Sequence, residues 1–198
     1  MSEPHRTKEL PSQTAGPYVH IGLAPSTAGL KTGPADLGTK IAGPQMHGSR
    51  IAVRGRVFDG AGAVVTDFMM EVWQADAKGH HHTKDHPAAG GLGWGRVVPD
   101  FETGDFSFET VKPGAVLCAS RQPQAPHLNL WLVARGINLG LNTRMYFSDS
   151  ADQNAQDPVL NSIALPERRA TLIAQQKADH YRFDIHLQGP QETVFFAV

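Results

Sequence analysis

A chain of 198 residues with 18 Lys plus Arg against 19 Asp plus Glu carries a formal net charge of -1, which leaves no basic field to hold nucleic acid or an anionic membrane surface. Its single cysteine, Cys118, excludes an internal disulfide, and neither the charged start MSEPHRTKEL nor any later stretch supplies the apolar run of a signal peptide or of a membrane span of ~20 residues. The expected location is cytoplasmic, and 20 Gly with 14 Pro suit a chain that turns often between short strands.

Residues 1–49 are rich in Pro, Gly, Ser and Thr and hold no sustained period, so they are expected to form an extended N-terminal arm and docking segment ahead of a single domain over 50–198. From Arg50 the pattern changes. Residues 50–58 place Ile51, Val53 and Val57 on one face before the turn DGAG, and residues 68–75 and 105–111 continue with β-favouring side chains. Over 127–134 strand alternation sends Leu128, Leu130 and Leu132 to one face and His127, Asn129 and Trp131 to the other. Residues 180–188 repeat the scheme, with Tyr181, Phe183, Ile185 and Leu187 inward. One helix is expected over 166–177, with Pro166 in its first turn and Leu172 and Ile173 as its apolar contacts. Many short strands with one wet face predict a mainly β protein: an antiparallel β-sandwich with an extended N-terminal arm and one short helix near 166–177.

Residue chemistry alone is sparing. His80, His81, His82 and His86 are the most conspicuous cluster of metal-ligating side chains, but they sit in a polar, Gly-flanked stretch and read as a solvated loop. Residues 90–95 (GGLGWG) precede no helix pattern that would present amides to a phosphate. No Gly-x-Ser-x-Gly elbow occurs and Cys118 has no nucleophile context. His127 by itself reads as a satisfied histidine lining a sandwich.

Eight segments in order, PSQTAGPY at 11–18, EVWQAD at 71–76, TVKPG at 110–114, APH at 125–127, ARGIN at 134–138, TRMYF at 143–147, YRFD at 181–184 and ETVFF at 192–196, resemble the protocatechuate 3,4-dioxygenase family of intradiol ring-cleaving enzymes, whose two subunit types are related to each other. The resemblance implies a β-sandwich and cleavage of a catechol between its hydroxyl-bearing carbons. In the family's iron-bearing subunit two tyrosines and two histidines hold Fe(III). The matching positions here are His81, Val116, His127 and Asn129, with Gln124 where that subunit has an arginine. One ligand of four is kept, and a hard Fe(III) centre that loses both phenolates loses its charge compensation as well as two bonds. The pattern is similar to the family's alpha-type subunit, which implies no metal and no catalytic residue in this chain, Fe(III) held by a partner beta subunit, and a higher-order alpha-beta oligomer. Substrate-pocket residues implied by the match are Thr14, Gly16, Pro17, Tyr18 and Arg135; the competing reading is that Tyr18 packs and Arg135 forms an ion pair. Two rival functions are a self-sufficient metalloenzyme using His81 and His127, and a non-catalytic β-sandwich binding module.

Overall fold

The computed structural model describes residues 11–16, 18–30, 38, 40–82, 93–118 and 122–197. Within them the strands are β1 (Arg50–Gly55), β2 (Val57–Phe58), β3 (Met69–Gln74), β4 (Trp94–Val97), β5 (Phe106–Val111), β6 (Val116–Leu117), β7 (Pro123–Gln124), β8 (His127–Val133), β9 (Leu141–Phe147), β10 (Ile173–Gln176), β11 (Tyr181–Arg182) and β12 (Ile185–His186). Short helices α1 (Tyr18–Leu23), α2 (Ala151–Gln156), α3 (Pro158–Ser162) and α4 (Pro166–Ala170) accompany them. No helix among the described residues is long and apolar enough to cross a membrane.

Eight strands hydrogen-bond in the order β4-β3-β8-β9-β10-β11-β1-β5. One core cluster joins Val72, Leu128, Leu130, Leu132, Met145 and Phe147 from the first half to Val53, Phe106 and Tyr181 from the second, with Phe183 and Ile185 beyond β11, so the sheet folds over itself as a sandwich with β10 at the seam. Period-2 patterning explains the packing: β8 buries Leu128, Leu130 and Leu132 at 0%, 3% and 0% exposure, each worth about 1.5–3 kcal/mol of transfer free energy. The opposite face of β3, β8 and β9 carries Trp73, Asn129 and Arg144 side by side in register, with Glu71, Trp131 and Asn142 in the next row. That wet face holds the site.

Three expectations are corrected. The helix expected over 166–177 ends at Ala170, with Thr171 as its C-cap. Ile173 and Ala174 then pair parallel with Tyr146 and Phe147, while Gln175 and Gln176 pair antiparallel with β11; a fully buried Leu172 and this seam pairing outweigh the local helical preference. The sandwich is not purely antiparallel, since β1–β11, β9–β10 and β2–β12 are parallel pairs. Residues 50–58 and 180–188 are each broken into two strands, because the Arg56 amide leaves the ladder to donate to Asp184 Oδ1 at 2.9 Å and Phe183 donates to the Arg54 carbonyl at 2.9 Å.

Helix α3 has a clear cause. Asp157 precedes Pro158 and accepts the amides of Val159 and Leu160, both at 2.8 Å, satisfying two first-turn donors while Pro fits the first helical position. The cap fixes α3 over the wet face, where Val159 walls the cavity described below.

Candidate functional site

The arm residues named by the sequence gather at one corner. Thr14 Oγ1 accepts the Gly136 amide at 2.7 Å and lies 3.3 Å from the Ala134 carbonyl, so its hydroxyl pins the arm beside Arg135. Helix α1 buries His20, whose Nε2 meets the Phe68 carbonyl at 3.1 Å and whose ring packs edge-on against Phe101 at 5.0 Å. Three residues apart on the other side, Tyr18 is 77% exposed and Ile21 44% exposed. Gly16 and Arg135 line a shallow cavity with Ala15, His20, Ile21 and Asp67. Arg135 pairs with Asp67 at 2.9 Å, yet its side chain is 73% exposed, and an exposed pair of this kind holds weakly enough to yield to another carboxylate. Pro17 lies outside the described residues. Asp67 is a partner that sequence reasoning missed, since nothing local links it to Arg135.

A second neighbourhood forms on the wet sheet face. The His81 ring lies 4.4 Å from Trp73. Trp73 pairs with Asn129, and Asn129 with Arg144. Nη1 of Arg144 donates to Gln124 Oε1 at 3.0 Å, and Gln124 pairs with Val116. The ring closes through Gly79, which at φ +83° lies against the carbonyl of Ala115 in a way that leaves no room for a β-carbon. His81, Val116 and Asn129, scattered over about fifty residues, thus share one neighbourhood, with His127 two residues before Asn129 on β8. Arg144 was missed as a site residue, although the alternation of Leu141, Thr143, Met145 and Phe147 against Asn142, Arg144 and Tyr146 marks it as facing the wet side.

Electrostatics decide what this neighbourhood can hold. His127 is 3% exposed and bonds the Ala125 carbonyl through Nδ1 at 2.8 Å; burial, aided by the positive charge of Arg144, pushes its pKa down to about 4. Burial likewise lowers His81, against a hydrogen bond to the Gln74 backbone and with His82 and Arg144 adding to the effect. Asn129 turns its amide toward the Trp73 carbonyl at 3.4 Å, and Val116 has no donor atom. A ferric ion needs anionic oxygen ligands; two imidazoles, an amide and an alkyl group beside a guanidinium do not supply them. These residues do not fit the metal.

In the histidine segment, Asp76 organises the residues described. It accepts the amides of Lys78 at 2.8 Å and His80 at 3.0 Å, and its second oxygen meets His82 Nε2 at 2.8 Å. Burial opposes its ionisation, but those three hydrogen bonds prevail and hold its pKa below the usual carboxylate value. This carboxylate, six residues before His82, is a neighbour that the sequence reading overlooked. His86 and residues 90–92 lie outside the described residues, while Trp94 opens β4.

A family model described as Dioxygenase matches residues 34–189. The chain is 48% identical over 192 residues to the protocatechuate 3,4-dioxygenase alpha chain of Pseudomonas putida, spanning 95% of this chain and 96% of that one. The chain belongs to the intradiol dioxygenase family. Its intradiol relatives include a protocatechuate 3,4-dioxygenase beta chain of Burkholderia cepacia, 35% identical over 168 residues, covering 74% of this chain and 67% of that one. Among solved structures, the hydroxyquinol 1,2-dioxygenase of Pseudomonas putida DLL-E4 superposes with a TM-score of 0.57 at 21% identity, covering 92% of this chain and 68% of that one, a likeness of fold. The β-sandwich is therefore the intradiol fold.

Proposed function

We propose that this chain is the non-iron-binding alpha subunit of a protocatechuate 3,4-dioxygenase, acting in the cytoplasm with an iron-bearing beta subunit. The complex cleaves protocatechuate with O2 between the two hydroxyl-bearing carbons to 3-carboxy-cis,cis-muconate, both oxygen atoms entering the product. The donor set supports the reading: at the positions that the resemblance matches to two tyrosines and a histidine of the iron-bearing subunit stand His81, Val116 and Asn129, and Arg144 pairs with Asn129 across β8 and β9. Fe(III) on the partner supplies the activation of the catechol toward O2.

This chain's contribution is to wall and orient. The arm, pinned by Thr14 to Gly136, presents Gly16 and the exposed ring of Tyr18, with Pro17 between them in sequence. Tyr18 offers a hydroxyl, and Arg135 can exchange Asp67 for the carboxylate of the substrate. Pocket walls built at a subunit boundary raise rates by positioning, since ~1 Å of misplacement can lose ~100-fold. The apolar face of Tyr18 and Ile21, 77% and 44% exposed, suits docking against the partner. Expression with and without the iron-bearing subunit tests the reading: protocatechuate cleavage and tight iron are expected only in the complex. A chain that adds nothing to the partner's activity or stability contradicts it.

A further inference from the structure

Beyond that reading, we propose that the wet-face cavity over β3, β8 and β9 is a second ligand site, binding a small aromatic monocarboxylate through Arg144. The cavity measures about 400 Å³, within the range of small-molecule sites. Its floor is the paired row of Trp73, Asn129 and Arg144, and Trp94, Trp131 and Phe196 add aromatic wall. The charge pattern selects the ligand. Glu71, also in the lining, is already neutralised by Arg96 at 2.9 Å and bonded by Trp94 Nε1 at 3.3 Å. Arg144 has no ion pair among the described residues; its two hydrogen bonds both leave from Nη1 and end on neutral oxygens, Gln124 Oε1 and the Tyr146 hydroxyl. Among the described residues Nη2 and Nε make no hydrogen bond and remain for a ligand, and a guanidinium edge takes a carboxylate two oxygens at a time. One uncompensated cation calls for one negative charge, and a wall of three indoles calls for a flat apolar body behind it. Asn129 and Asn142 offer amides to ring substituents.

The test is equilibrium dialysis of radiolabelled benzoate against the purified complex, counting equivalents per alpha chain while the iron-dependent visible absorption is recorded. The site predicts an equivalent that binds without changing that absorption, besides any that does. Arg144→Met is expected to weaken the silent equivalent by about tenfold or more, Arg144→Lys to weaken it less, and Trp73→Leu to weaken it while the charge stays. Acetate should compete poorly and cyclohexanecarboxylate less well than benzoate. Benzoate bound only with a change in absorption, or silent binding indifferent to all three variants, overturns the proposal. Loss of iron absorption from the unmodified complex counts instead against the subunit assignment, so the two failures are distinct.

Discussion

Arg144 is joined to the buried Asp157 through one phenol: its Nη1 donates to the Tyr146 hydroxyl at 3.3 Å, and that hydroxyl donates to Asp157 Oδ1 at 3.3 Å. Asp157 Oδ2 accepts the Ala125 amide at 2.7 Å, and the Ala125 carbonyl is bonded by the His127 ring. A cation, a phenol, a carboxylate and an imidazole therefore form one hydrogen-bonded frame beside β8 and β9. Burial, with Asp157 at 0% exposure, makes each link costly to break, and raises the Tyr146 hydroxyl well above its usual pKa.

Replacing Asp157 should be the most damaging single change to this frame. Asp157→Ala removes the α3 cap and leaves the buried Ala125 amide unpaired, so a loss of about 2–4 kcal/mol is expected. Urea denaturation of the complex measures it; a loss under about 1 kcal/mol would mean that water or a neighbour replaces the carboxylate.

His127 should make stability depend on pH. Its folded pKa of about 4 lies below the ordinary imidazole value of 6.5, so the unfolded chain takes up a proton first. The contribution is complete above about pH 6.5 and is lost as pH falls toward 4, by on the order of 3 kcal/mol. His81, lowered too, adds in the same direction. In His127→Gln, whose amide can still donate to Ala125, the stability curve between pH 6.5 and 4 should flatten; an unchanged slope contradicts the assignment.

Gly79 should tolerate no side chain. At φ +83° with the Ala115 carbonyl against its α-carbon, Gly79→Ala must move the loop that carries His81 toward Trp73, at a cost of about 1–3 kcal/mol. Thermal denaturation checks this. The same change at Gly62, with positive φ but open space around it, should cost less.

Tyr18→Ala within the complex should lower kcat/KM for protocatechuate by about tenfold with iron content and thermal stability unchanged, because the ring is 77% exposed here and is proposed to act in positioning alone. Loss of iron would place Tyr18 in the integrity of the metal site instead.

The sandwich was legible where alternation is strict. Residues 127–133 and 181–185 announce their buried faces, and Leu128, Leu130, Leu132, Phe183 and Ile185 are indeed core. Helix 166–177 was misjudged because its second half is decided by β9 and β11, strands distant in sequence. The same non-locality hid the site: Trp73, Asn129 and Arg144 become neighbours only through strand register, and Arg135 meets Asp67 across sixty-eight positions. Motif order pointed to the family without the pairing, but Arg144 beside Asn129 emerged only from the three-dimensional arrangement.

Anomalous scattering at the iron edge from crystals of the assembled complex tests the central claim most directly. The account predicts one iron peak per pair of subunits, with none between His81, Val116, His127 and Asn129 of this chain; a peak bridging His81 and His127 would contradict it.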